Sequence, residues 1–283
     1  MTAYLDDSSV SILGSGGFEL HATADTTIKA YTLGAAVSAV SGTQGGGIAG
    51  AGGGSGSINT INADAIAALR NGSQVSSSVG TVKVAASNTS DITADAGGFA
   101  LSLALGSSGS SNAAAFGAGF AVNNIGSDED RNVVEAIVDD STVGAGDGFE
   151  LDAVSMIGIS ALTIGAAGAV NGQQPLLLTG SLAGAFSVNT VRASTLAKVR
   201  AGSSVSSTHN AVRIKADEQT AIVADAGGFA FSLRKATSSG ASLSIGASLA
   251  LNDIANFSEA SVDASQISSG GAITLDATST GSI

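Results

Sequence analysis

One asparagine, set between an aliphatic residue and a second aliphatic two positions later, returns four times along this chain. It stands in Ser57–Ile61 (Ser-Ile-Asn-Thr-Ile), Ala121–Ile125 (Ala-Val-Asn-Asn-Ile), Ser187–Val191 (Ser-Val-Asn-Thr-Val) and Ala250–Ile254 (Ala-Leu-Asn-Asp-Ile). The asparagines are Asn59, Asn123, Asn189 and Asn252, at separations of 64, 66 and 63 residues. A fixed period of this length marks a repeat architecture. Each unit is too small to bury its own apolar face and covers it with the next unit.

The segments within each copy keep one order. In the copy from Thr142 to Ala201, Gly144–Gly148 leads into a strand at Phe149–Ala153, and a second strand follows around Ile159–Ala166. A loop is expected at Gly172–Pro175, and Leu182–Val191 and Thr195–Arg200 then run to the next opener, Ser203–Val205. Ser107–Asn112 and Thr237–Gly240 take the place of that loop in two other copies, and the Gly-rich tract Gly42–Gly56 does so in the first. The internal period is 2. Leu243, Ile245, Leu249 and Leu251 alternate with Ser242, Ser244, Ser248 and Ala250, and Phe99, Leu101, Leu103 and Leu105 alternate with Ala100, Ser102 and Ala104. Such alternation indicates half-buried strand. Ala63–Arg70 and Asp130–Val138 have some helical character, but their counterparts are rich in Ser, Thr and Val, so they too read as strands.

The clearest strand occurs five times, beginning at Phe18, Val82, Phe149, Val212 and Ile273. Its second position carries Glu19, Lys83, Glu150, Arg213 and Thr274; its fourth carries His21, Ala85, Asp152, Lys215 and Asp276. Alternate copies also resemble each other most closely. Asp95–Ala100 recurs as Asp225–Ala230, and Gly17–Leu20 recurs as Gly148–Leu151. Direct stacking of successive copies accounts for both patterns. Glu150 would lie between Lys83 and Arg213, and opposite charges on neighbouring strands help to fix register. The repeated Asn has two readings, a turn residue in the left-handed region or a stacked ladder of side-chain amides.

These features predict an all-β chain folded as a parallel, β-helix-like β-solenoid of about four 61–67-residue repeats. Approximate bounds are 8–72, 73–140, 141–201 and 202–264, with a partial repeat at 265–283, all in one domain spanning 1–283. Ala3–Val10 reads like Ala136–Val143, and the last residues match the middle of a repeat, so the expectation is a fragment of a longer array.

The order Val122-Asn123-Asn124-Ile125, then Ala136–Val143, then Gly144–Gly148 and Phe149–Ala153 resembles the degenerate repeats of large bacterial exported proteins of the filamentous-haemagglutinin and adhesin type. The resemblance spans essentially the whole chain. It implies a secreted or cell-surface setting and a structural or adhesive segment.

Composition narrows the function further. The net charge of −12 argues against nucleic acid and against an anionic membrane surface. Absence of cysteine excludes disulfides and thiolate metal sites. No apolar, Gly-poor stretch reaches the length of a membrane helix, and no membrane insertion is expected. Gly45–Gly50 matches Gly-x-Gly-x-x-Gly but opens no βαβ unit, so no nucleotide cofactor is expected. His21 and His209 stand at non-equivalent positions. Asp128, Glu129 and Asp130 are the one acid cluster with the oxygen chemistry for Ca²⁺, yet they occur in a single repeat.

The expected function is therefore a non-catalytic stalk or adhesive segment, with neighbouring repeats, copies stacked end to end, or a surface ligand as partners. The rivals are a self-assembling filament subunit, a carbohydrate-active β-helix enzyme, an ice-binding solenoid and a transmembrane β-barrel. The enzyme needs clustered acids and aromatics, the ice-binding solenoid needs a Thr ladder, and the barrel needs aromatic girdles beside a lipid-facing band.

Overall fold

In a computed structural model of the chain, the described residues are 1–42, 47–106, 111–172, 176–235 and 240–283, and among them there is no helix. The first coil comprises β1 (Thr2–Asp6), β2 (Ser9–Ile12), β3 (Phe18–Gly42) and β4 (Gly47–Ile61). The second comprises β5 (Ala65–Arg70), β6 (Gln74–Ser77), β7 (Val82–Gly106) and β8 (Ser111–Ile125). The third comprises β9 (Asn132–Asp139), β10 (Thr142–Ala145), β11 (Phe149–Asn171) and β12 (Leu176–Val191). The fourth comprises β13 (Ala193–Arg200), β14 (Ser204–Ser207), β15 (Val212–Arg234) and β16 (Ala241–Ile254), and β17 (Phe257–Val262), β18 (Gln266–Ser269) and β19 (Ile273–Ser282) follow.

Every fourth strand pairs in parallel, which makes four sheets: β1-β5-β9-β13-β17, β2-β6-β10-β14-β18, β3-β7-β11-β15-β19 and β4-β8-β12-β16. The fold is thus a parallel β-solenoid in which one repeat makes one complete coil. Ala63–Arg70 and Asp130–Val138 contribute strands, β5 and β9, and no helix.

Two regions differ in how they are filled. The base, formed by the two short-strand sheets and the first part of the β3 sheet, has a core of larger side chains. Leu69, Val75, Val84, Val138, Phe149 and Leu151 are almost wholly buried there. Each such side chain contributes roughly 1.5–3 kcal/mol on removal from water. Beyond Ile92 and its column mates Ile159 and Ile222, the β3 sheet continues outward and the β4 sheet returns against it, forming a two-layered blade. Its interior is filled mainly by small residues, among them Ala100, Ala104, Ala113, Ala115, Ala167 and Ala169, with the larger Val40, Asn171 and Arg234 facing inward only toward its far end.

Three sequence readings change here. The separate strands at Phe149–Ala153 and Ile159–Ala166 are one 23-residue strand. The Gly-rich tract in Gly42–Gly56 is strand from Gly47 onward, not loop. Its glycines allow the two sheets to touch: a Cβ on Gly34 would lie 1.9 Å from the Gly54 carbonyl oxygen, and one on Gly53 2.0 Å from that of Phe99. Third, the alternating Phe99, Leu101, Leu103 and Leu105 face outward, whereas Ala100, Ser102 and Ala104 face in. The expected loops at Ser107–Ser110, Gln173–Pro175 and Thr237–Ser239 lie outside the described residues, as do Gly45 and Gly46.

The corner between the first two strands of each coil turns on one left-handed residue five times, followed in the second and fourth coils by an extra glycine, Gly72 or Gly202, also at positive φ. Asp7, Asn71, Asp140, Ala201 and Ala264 stand in one column and all have positive φ, between 44° and 59°. A serine follows each corner, and these serines accept backbone N–H groups from the adjoining coil: Ser8 N–H to Ser73 Oγ at 3.3 Å and Ser141 N–H to Ser203 Oγ at 3.1 Å.

Candidate functional site

The four asparagines lie within strands β4, β8, β12 and β16, not at turns, and stand in direct register. Asn59 Nδ2 donates to Asn123 Oδ1, Asn123 Nδ2 to Asn189 Oδ1, and Asn189 Nδ2 to Asn252 Oδ1, each at 2.8 Å. Asn123 and Asn189 have no exposed surface. Each amide satisfies one neighbour and is satisfied by the other, as buried polar groups require. The ladder runs along the inside of the sheet where base gives way to blade.

Glu19, Lys83, Glu150 and Arg213 also share one column in direct register. Lys83 Nζ lies 3.1 Å from Glu150 and 3.4 Å from Asp152. Partial burial works to lower the Lys83 pKa, but its hydrogen bonds and charge attraction to Glu150 and Asp152 outweigh this and raise it. Arg213 sits on the other side of Glu150 but has no ion pair with it among the described residues, and Glu19 meets His21 at 3.4 Å instead of Lys83. The column therefore alternates in sign, with one closed pair at its centre. His209 Nδ1 lies 2.6 Å from the Gly146 carbonyl oxygen, a corner contact.

Asp128, Glu129 and Asp130 are not gathered around a point. Asp128 accepts from Arg192 Nε at 2.6 Å, Asp130 accepts from Asn62, and Glu129 is exposed. Among the described residues no group of three or more His, Cys, Asp or Glu side chains could hold a metal ion. The acids instead belong to a clamp. Arg192, 9% exposed, reaches Asp128 in one coil and Asp253 in another, both at 2.6 Å, and hydrogen bonds to Asp253 and Asp128 raise its pKa. Arg131 nearby donates to Ser194 Oγ and to the carbonyls of Ala193 and Ala255. These two arginines tie together the connections between the fourth and first strands of successive coils.

Sequence reasoning missed one buried acid. Glu218 points into the base and is fully buried, accepting from Asn256 Nδ2 at 2.6 Å, from Ser279 Oγ at 2.5 Å and from Thr220 Oγ1. The signal for it was its column: Asn88, Ser155 and Ser279 occupy the same inward position, polar where the alternation calls for apolar.

The largest unusual surface is the outside of the blade. β7, β8, β11 and β12 have partners on both sides, yet their outward side chains remain open. On one face Phe116, Phe120, Leu182 and Phe186 are 38–55% exposed; on the other Phe99, Leu105, Leu162 and Ile164 are 38–48% exposed. Aromatic rings partly cover outward glycines: a Cβ on Gly56 would meet the Phe120 ring, and one on Gly168 the Phe231 ring. Toward the base both faces turn polar, at Thr93, Asp95 and Ser160 on one side and at Asn124 and Thr190 on the other.

Comparison with protein-family models, with curated proteins and with solved structures finds no match.

Proposed function

We propose that this chain is a non-catalytic structural and adhesive segment of an extracellular or cell-surface bacterial protein. One observation carries the choice between adhesive surface and spacer. The longest strands have 25 residues, about 80 Å at ~3.3 Å per residue, while each coil advances the stack by only about 4.8 Å. A chain built in this way invests in breadth and presents wide, regular faces. As a spacer it would gain little length per residue. The bacterial surface setting rests on the resemblance of its repeats to those of exported adhesins.

Filament formation by end-to-end stacking is the second reading. Its geometry is less favourable. The β4 sheet has four strands where the other sheets have five. Placing β1 of one copy on β17 of another would leave the blade a strand short at the junction.

Surface display tests the adhesive reading. Non-adherent bacterial cells carrying the chain as a fusion should be retained under flow several-fold better than cells carrying the anchor alone. Retention at the anchor-only level would overturn it. So would reproducible polysaccharide turnover by the purified chain that is lost when Asp128 or Asp130 is changed.

A further inference from the structure

We infer that the blade is a lipid-contacting element whose two outer faces sit in hydrocarbon, with the strands running across the apolar layer. The inference starts from what lies inside the blade. Where two sheets form a water-soluble sandwich, their large apolar side chains interdigitate between layers about 10 Å apart. Here the layers close on Gly, Ala and Ser. A Cβ on Gly98 would lie 1.9 Å from the Ala118 carbonyl oxygen, and one on Gly165 2.0 Å from that of Gly184. At that approach no large side chain fits between them, and Val40, Asn171 and Arg234 face inward only toward the far end. The Phe, Leu and Ile of these strands are displaced to the outside, on both faces at once.

A protein partner would cover one face. Two further observations favour a continuous apolar phase. The first is the level of the polar boundary. Gly98 opposes Ala118, and Ser55 Oγ on the β4 sheet donates to the Gly97 carbonyl at 2.8 Å, so heights on the two sheets can be matched. By that match Asp95 on one face and Asn124 on the other lie within about 10 Å of each other in height, given ~3.3 Å per residue. The two faces do not share side chains, yet both turn from polar to apolar at nearly one level. The second observation is the depth of the band. From Gly97 to Leu105 the outward face spans about 26 Å, and from Ala114 to Val122 about the same, at ~3.3 Å per residue. The hydrocarbon core of a bilayer is about 30 Å thick. Polar residues return at the far end, with Asn112 and Lys235.

Backbone groups set the remaining condition. Strands β7, β8, β11 and β12 are paired on both sides and show hydrocarbon only side chains. The outer edges of β3 and β4 and of β15 and β16 must be covered by further strands before they enter hydrocarbon. This revises the expectation of no membrane insertion. That expectation rested on net charge, on helix length and on the lack of aromatic girdles; the first two do not bear on uncharged strand faces, and the third, with two Tyr and no Trp, stands against a barrel.

The absence of tryptophan makes the test direct. Single-Trp variants Phe116→Trp and Phe99→Trp report on the two faces, and Val79→Trp reports on an exposed position of the base. Each is mixed with zwitterionic phosphatidylcholine vesicles carrying brominated acyl chains, which avoid charge repulsion from a −12 chain. The expected result is flotation with the vesicles and at least threefold stronger quenching at positions 116 and 99 than at 79. A Leu182→Glu variant that retains the β-sheet circular dichroism should lose flotation; if Phe116→Trp fails to fold, Leu182→Trp replaces it on the same face. The inference is overturned if the folded chain stays in the aqueous fraction, if position 79 is quenched equally, or if both faces are already shielded from a soluble quencher in a lipid-free oligomer. That last outcome would assign the faces to a second copy of this chain.

Discussion

At the scale of single residues, the asparagine ladder shows how one side chain can hold a register. Asn123 is fully buried and bonded on both sides. In an Asn123→Ala variant Asn59 Nδ2 loses its acceptor and Asn189 Oδ1 its donor, each in a site closed to water. The expected loss is about 2–4 kcal/mol, since an orphaned buried polar group costs about 1–3 kcal/mol. Asn252→Ala, at the open end of the ladder, should cost less than half as much in the same urea titration; equal losses would show that the ladder acts only by packing. The corner column gives a gain instead. Ala201 has φ of 59°, a region costly for an L-residue with no local hydrogen bond to offer, and its column mate Asn71 has φ of 56°. Ala201→Asn should therefore stabilise by about 0.5–1 kcal/mol, whereas Ala201→Gly should gain less because it loosens the unfolded chain. An Ala201→Asn midpoint at or below that of the parent would remove the strain argument. The asparagine spacing was legible in the sequence, but its role was not. An Asn beside aliphatics serves a turn or a ladder equally well, and only the register tells them apart. The corners were less visible: Asp and Asn suit the left-handed region, but Ala201 and Ala264 do not, and only φ unites all five.

At the scale of elements, the blade depends on backbone approaching backbone. Gly165 and Gly184 are partners in this: a Cβ on Gly165 would collide with the Gly184 carbonyl oxygen, while one on Gly184 points outward and meets nothing within 4 Å. Gly165→Val should cost more than about 4 kcal/mol, because the clash is with backbone and cannot be relieved by a rotamer change. Gly184→Ala should be neutral or mildly stabilising, since glycine weakens a strand interior. Denaturation midpoints of the two variants check this, and similar losses in both would mean that the sheets do not pack this closely. The same element explains where sequence reading stopped. Glycine normally punctuates, so a run such as Gly52-Gly53-Gly54 reads as loop. It becomes strand here because its neighbours along the stack, Phe116-Gly117-Ala118, pair with it residue by residue. Past Ile92 the alternation continues with its sense inverted, large residues outside and small inside. Period alone cannot distinguish the two senses, because both give the same pattern of large and small.

At the scale of the whole molecule, strands pair only with those of neighbouring coils, so order along the stack is a physical variable. The column Glu19, Lys83, Glu150, Arg213 alternates in sign, and the resemblance between alternate copies follows it. This arrangement can be tested by removing one coil. Val191 is the register partner of Ile125, so deleting residues 125–190 joins equivalent points and leaves a shorter stack with its period intact. Lys83 then stands beside Arg213, where Glu150 stood between them. In the intact chain Arg213→Glu places a second carboxylate next to Glu150 and should destabilise. In the deleted chain the same substitution faces Lys83 and should stabilise. Both effects should be a few tenths of a kcal/mol up to about 1, because the groups are partly exposed, and both should shrink in 1 M salt. The informative quantity is the change of sign, not the size, since general effects of the substitution on strand propensity or on the unfolded state are common to both backgrounds. If Arg213→Glu shifts stability in the same direction in both chains, the alternation has no energetic role, and register would then rest on the asparagine ladder and the corner serines alone.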